Sequence, residues 1–420
     1  MSRGLTPKRI RFVSVSVLVV AAVLLGLTFA TARNGLTFFG TELGHDYAAF
    51  YIAGKIQNEY GPHRLYDHEL QQQLYHELLP RVSREEGLPY ANAPFLALAF
   101  RPLARLPYAW SYLVWLCVSF SLFAGGVALM LRITDALRGE DKITALLLVL
   151  SFEPFLFECW IGGQISTIGF FFLALSIYLL RSQRLIAAGA ALAFCLYKPT
   201  LLVLLVPMLV VSRQWKTLAG FTAAAVVLTA VSLMAVGADA CSDYVWLLRD
   251  YIRARIGGDE IFRTWKFVDL VSFFRMLQHG HTSLGLVFIG ATAVTWFGWL
   301  CRQWRHGSSP LMWAATVTTT LVLNVYVGIY DATLGVLGAG LTVDMLLRRN
   351  QFDTVARGLL VLLYLVPWFS QYFARASGVQ LYTLVLAGCA IYQTRLFQTS
   401  VRYFSDASKP ASVCTSAGNS

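Results

Sequence analysis

Gly44-His45-Asp46-Tyr47-Ala48-Ala49-Phe50-Tyr51-Ile52-Ala53-Gly54 follows the first long apolar run of the chain, residues 12–32, and sets one carboxylate, Asp46, near the mouth of a membrane span. Behind the acid, Tyr47, Phe50, Tyr51 and Gly54 recur at spacings of three and four, so they share one face of a short helix. The preceding run reaches the ~20 residues needed to cross a bilayer. The segments downstream read as membrane helices that close a cavity over Asp46.

Composition agrees. Of 420 residues, 57% are hydrophobic and 14% charged, and mean hydropathy is +0.58. A soluble chain carries about 25% charged residues. The expected fold is therefore an all-α polytopic membrane protein. Its apolar runs are 12–32, 108–131, 143–159, 165–180, 185–197, 200–211, 218–236, 284–300, 311–327, 332–347, 355–369 and 379–392. They predict about 11–13 transmembrane helices, several shorter than about 20 residues.

Residues 12–393 form one transmembrane domain in this reading, between a basic cytoplasmic N-terminus, 1–11, and a polar, disordered cytoplasmic tail, 394–420. Ala30-Thr31-Ala32 resembles a signal-peptidase site, but a signal h-region spans only about 7–15 residues, so an uncleaved anchor is expected. A first outer loop, 33–107, carries short helices, and its apolar run ending at Phe100 is too short to span. A second large outer loop covers 238–281.

The net charge is +11, yet the basic residues concentrate in short loops, 132–142, 181–184, 213–216, 302–306 and 348–349. With the N-terminus inside, alternation puts these loops on the cytoplasmic side, as the positive-inside rule requires. The charge therefore speaks for a membrane and its lipids as partners, not for nucleic acid. The same parity places Asp46, Gln164, Lys198, the 238–281 loop and Asp331 on the extracytoplasmic face of an inner or plasma membrane. Reading 185–211 as one span would invert everything downstream. The seven cysteines occur singly, with no C-x-x-C pair, so neither a zinc site nor a disulfide framework is indicated. Walker, G-x-S-x-G and H-E-x-x-H signatures are missing. No metal or cofactor is expected.

Each polar residue on that outer face has a bland and a chemical reading. Asp46 is either the N-cap of the helix behind it or a general base, since partial desolvation strengthens a carboxylate as a base. Gly162-Gly163-Gln164 is a glycine turn, or a close backbone approach with an amide for a hydroxylated ligand. Lys198-Pro199 breaks an apolar run; the lysine snorkels to headgroups or contacts a phosphate. Arg249 and Arg253, four apart, share a helix face suited to a lipid phosphate, or belong to a solvated loop. Asp331, after Tyr330, caps a helix or contacts sugar or acceptor. Glu153 and Glu158 lie at the rim of a span, where an acid is a site candidate by default.

Asp46-Tyr47-x-x-Phe50-Tyr51 with Leu65-Tyr66-Asp67, then Gly163-Gln164, Lys198-Pro199 and Tyr330-Asp331 together resemble the glycosyltransferases of family 87. The likeness runs from about residue 11 to 392. Tyr90-Ala91-Asn92-Ala93-Pro94 departs from the Tyr-Pro-Pro of that pattern. The resemblance implies a GT-C-like bundle and transfer of a sugar, such as mannose, from a polyprenyl-phosphate-linked donor to a lipid or glycan acceptor. It puts the general base on Asp46 and a phosphate contact on Lys198. Substrate-binding residues expected around them are Tyr47, Tyr51, Gln164, Arg249, Arg253, Tyr330 and Asp331. The rival function is a flippase or transporter of lipid-linked saccharides, which would carry internal repeats and ionisable residues near span midpoints.

Overall fold

The computed structural model describes residues 6–32, 36–37, 42–80, 88–257, 264–278, 283–305 and 309–407. The described residues are helical throughout, with isolated bridges such as Phe267–Gly328 but no strand. α1 (Pro7–Thr31) starts at Thr6, whose side chain accepts from the Arg9 amide, and carries a proline in its first turn, where the missing N–H costs no hydrogen bond. Then come α2 (Tyr47–Lys55), α3 (His68–Leu78), α4 (Pro94–Phe100), α5 (Tyr108–Ile133) and α6 (Glu140–Leu150). The middle of the chain forms α7 (Ser166–Arg181), α8 (Leu185–Ala193), α9 (Leu205–Val211) and α10 (Trp215–Gly257). The last part forms α11 (Leu270–Leu277), α12 (Ser283–Trp304), α13 (Pro310–Val322), α14 (Gly335–Arg348), α15 (Thr354–Leu365), α16 (Pro367–Ser377) and α17 (Leu381–Ala407).

The chain is an all-α polytopic membrane protein. Among the described residues five helices are long and apolar enough to cross a membrane, or seven if each bent pair is one span. Both bends fall just ahead of a proline: α6 meets the π-helical Pro154–Ile161 at 48°, and α15 meets α16 at 73°. Proline removes a backbone donor and breaks the ladder. Most of the remaining expected spans are the shorter apolar helices Ser166–Arg181, Leu185–Tyr197, Pro199–Val211 and Pro310–Val322. The 379–392 run is the apolar start of α17, whose polar second half dilutes it.

Two expectations change. The 238–281 segment does not open as a loop: α10 continues through it to Gly257, kinked at Gly237 (φ 84°, ψ 171°). Glycine adopts that conformation without steric cost, so the span turns there and its second arm lies over α4. The tail expected to be disordered from residue 394 is helical to Ala407, and 408–420 lie outside the described residues.

α2 is buried on almost every side, and α4 lies against it so closely that a Cβ on Gly54 would sit 2.4 Å from the Phe100 carbonyl oxygen. The basic loops gather at the other end of α5 and α7. There Arg181 and Arg348 both pair with Asp135, Arg348 lies 2.8 Å from Asp344, and Arg11 lies 2.6 Å from Glu140. α7 starts beside Asp331 and ends in this cluster; its 16 residues rise ~24 Å at 1.5 Å each.

Candidate active site

Between α2, the turn ahead of α7, the Lys198 break, the second arm of α10 and residues 264–267 and 326–331 lies a cavity of about 560 Å³. Small-ligand sites span roughly 300–1,000 Å³. Asp46, Gln164, Lys198, Lys266, Tyr326 and Tyr330 are in its wall. Three residues taken from distant parts of the sequence, Asp46, Gln164 and Lys198, are thus brought to one place.

Asp46 stands at the N-cap position of α2 with helical backbone angles (φ −72°, ψ −16°), and its side chain makes no capping bond. The preceding residues explain why. Gly44 (φ 73°) and His45 (φ 32°) run left-handed, turning the carboxylate away from the helix and toward Gln164. Gln164 Nε2 donates to Asp46 Oδ2 at 2.6 Å, and the Asp46 amide donates to the Gly162 carbonyl at 3.0 Å. Gly163 (φ 78°) permits this approach: a Cβ there would lie 2.5 Å from the Tyr47 Cβ. Asp46 Oδ1 is buried and has no hydrogen-bond partner among the described residues. A buried carboxylate oxygen left without a hydrogen bond is uncommon and costly.

Lys198 is the joint between two 3₁₀ turns, Phe194–Tyr197 and Pro199–Leu202. Its ammonium pairs with Asp331 and lies 4.5 Å from the ring centre of Tyr326 and 5.1 Å from that of Tyr330. Asp331 is fully buried. It also accepts from Ser166 Oγ at 2.7 Å and from the Gly328 amide at 3.2 Å, the latter capping the turn Ile329–Leu334. Both of its oxygens are engaged, so it braces Lys198 at the cavity wall.

Four expected binding residues are placed elsewhere. The face of α2 shared by Tyr47, Tyr51 and Gly54 packs inward, while Asp46, Ala49 and Phe50 face the cavity. Tyr47 stacks on Trp115 and bonds Ser111 Oγ at 2.6 Å; Tyr51 donates to the Leu106 carbonyl at 3.0 Å. Arg249 and Arg253 are exposed, and Arg249 lies over Trp246. On that arm of α10 Tyr244, Leu248 and Tyr251, at spacings of four and three, turn to the cavity; residues 249 and 253 fall on the other side of the helix.

Lys266 and His45 were not singled out from sequence. Lys266 comes from the second excursion, and its Nζ lies 3.4 Å from His45 Nε2 and 3.9 Å from Glu158 Oε2. His45 lies 3.7 Å from Asp46 Oδ1 and 3.6 Å from Glu42 Oε2. Burial by itself would lower the imidazole pKa, but the charge of Asp46 and the Glu42 contact outweigh it and hold it above its ordinary value. The histidine beside Asp46 was the available signal. For Lys266 there was none, because it is one of several basic residues in a stretch without a motif.

An all-helical membrane bundle with Asp46, Gln164, Lys198 and Lys266 in one aromatic-walled cavity, away from its basic loops, defines an integral-membrane protein with a polar site inside its bundle. The chain belongs to glycosyltransferase family 87, whose sequence model matches residues 90–327, more than half of it. No curated protein and no solved structure matched the chain. It is thus a membrane glycosyltransferase, with a sugar donor and an acceptor as substrates. The matched range contains Gln164, Lys198 and Lys266; Asp46 lies upstream and Asp331 just downstream.

Proposed function

We propose that this glycosyltransferase moves a hexose such as mannose from a polyprenyl-phosphate carrier to a lipid or polysaccharide acceptor, with Asp46 as general base. The cavity is taken to open on the extracytoplasmic face of the inner or plasma membrane. The observation that carries this reading is the Asp46 carboxylate in the cavity wall, one oxygen oriented by Gln164 and the other without a hydrogen bond.

In the reaction, Asp46 takes the proton of the acceptor hydroxyl while that oxygen bonds to the anomeric carbon. The bond from the anomeric carbon to the phosphate oxygen breaks, and its electron pair leaves on the polyprenyl phosphate. The phosphate is a good leaving group, so base catalysis and nearby cations suffice to lower the barrier. Phe50, Tyr244, Tyr326 and Tyr330 supply apolar faces for the sugar or the first prenyl units. A flippase would need polar groups spaced across the bilayer, whereas here Asp46, Gln164, Lys198 and Lys266 meet in one cavity.

The test is sugar transfer from synthetic polyprenyl-phosphate sugars by the purified protein in detergent. Asp46→Asn and Asp46→Ala are expected to lower kcat by about 10²–10⁴-fold while the protein stays folded. Full turnover by Asp46→Asn would remove Asp46 from the base role.

A further inference from the structure

Two lysines reach the cavity wall, and their surroundings differ. The Lys198 ammonium is committed to Asp331 on one side and to the rings of Tyr326 and Tyr330 on the others. Lys266 has three donors to place, yet its nearest contacts are the long one to His45 at 3.4 Å and the ion pair with Glu158 at 3.9 Å, beyond hydrogen-bond reach. Glu158 is held off by Gln371, which donates to its Oε1 at 2.6 Å.

The backbone that presents Lys266 is anchored on several sides. Phe267 bridges to Gly328, the Val268 amide donates to the Val327 carbonyl at 2.9 Å, and the Val327 amide donates to Asp269 Oδ2 at 3.1 Å. Gln380 Nε2 holds the Trp265 carbonyl at 2.7 Å. These bonds fix the lysine to the same segment that carries Tyr326 and Tyr330. A fixed ammonium with unfilled donors is suited to a charge that arrives with a ligand.

We propose that Lys266, and not the ion-paired Lys198, binds the phosphoryl group of the lipid-linked donor, with His45 as the neighbouring donor when protonated. This rests on the polyprenyl-phosphate reading above. Asp46 Oδ1 and Lys266 Nζ both lie near His45 Nε2, at 3.7 and 3.4 Å, so the proposed base and the proposed phosphoryl contact border the same part of the cavity. His45 faces Glu42, Asp46 and Lys266. The phosphoryl oxygens of a bound donor would accept from the protonated imidazole beside Lys266.

Calorimetric titration of the purified full-length protein in detergent with farnesyl phosphate tests this. The wild type is expected to bind it, Lys266→Gln to bind it about tenfold or more weakly, and Lys266→Arg to stay within about threefold. Farnesol, which lacks the phosphate, should be insensitive to Lys266→Gln. Inorganic phosphate should compete poorly, and equal binding of the free anion would overturn the lipid-linked assignment. Unchanged farnesyl phosphate binding by Lys266→Gln overturns the role of Lys266 alone. Equal loss in Lys266→Gln and Lys266→Arg points to packing and overturns it too. A cooperatively melting wild type that does not bind farnesyl phosphate overturns the donor class itself.

Discussion

Asp46 and Asp331 are both buried acids next to the same cavity, and their partners separate their roles. Asp331 is matched by Lys198, Ser166 and a backbone amide; Asp46 keeps one oxygen unbonded. Removing one partner of a buried ion pair costs about 3–5 kcal/mol because the other charge is stranded, whereas removing both costs far less. Asp331→Asn and Lys198→Met are each expected to lower the melting temperature strongly, and the double variant to regain much of the loss. Thermal melts of the three variants in detergent check this, and additive losses would mean that the pair is not coupled. His45 makes a second prediction at this scale. Its pKa is raised above the ordinary 6.5, so the folded state favours the charged imidazole. That stabilisation is fully present below about 6.5 and fades as pH rises through the higher folded value. Melting curves of wild type and His45→Gln should therefore diverge most in mild acid and converge at alkaline pH.

At the scale of elements, the site depends on a turn packing against a turn. Gly163 gives the 162–164 turn both its left-handed backbone and its approach to Tyr47. Gly163→Ala adds strain from both sources, and Gln164 can no longer reach Asp46 in place. A loss of stability of about 1–3 kcal/mol is expected, with kcat falling more than KM changes; wild-type kinetics in a folded Gly163→Ala would refute the positioning. Sequence spacing was sufficient to find this motif, and it grouped Tyr47, Phe50, Tyr51 and Gly54 on one face of α2, although Phe50 turns to the cavity while the other three pack inward. It was not sufficient to say which way that face turned. An aromatic stripe looks the same whether it lines a ligand or packs on Trp115. Likewise Arg249 and Arg253 share a face of α10, but the kink at Gly237 and the neighbours of the second arm decide that Tyr244 and Tyr251 face inward. Partners of a side chain across hundreds of residues, such as Lys198 and Asp331, leave no periodicity in the chain. Asp46 was visible because an acid at a span mouth stands out against an apolar background, and Lys266 was not, because it sits among other charges.

For the molecule as a whole, the two ends of the bundle carry different chemistry. Arg11, Asp135, Glu140, Arg181, Asp344 and Arg348 interlock at one end, and the cavity residues cluster at the other end of α7. The short loops of the first end carry the excess of arginine and lysine that is retained on the cytoplasmic side during insertion. If that rule sets the orientation here, the cavity opens outward and a donor must reach it from the outer leaflet, its prenyl chain in lipid and its sugar under α2. The exposed Gln73 of α3 and Arg138 between α5 and α6 are suitable reporters. In right-side-out vesicles, Gln73→Cys is expected to react with a membrane-impermeant maleimide and Arg138→Cys only after the membrane is opened, each read against the wild-type thiol background. The opposite pattern would place the cavity in the cytoplasm and require a donor presented from the inner leaflet. The roles proposed for Asp46 and Lys266 would stand in that case, because they depend on the cavity and not on the side it faces.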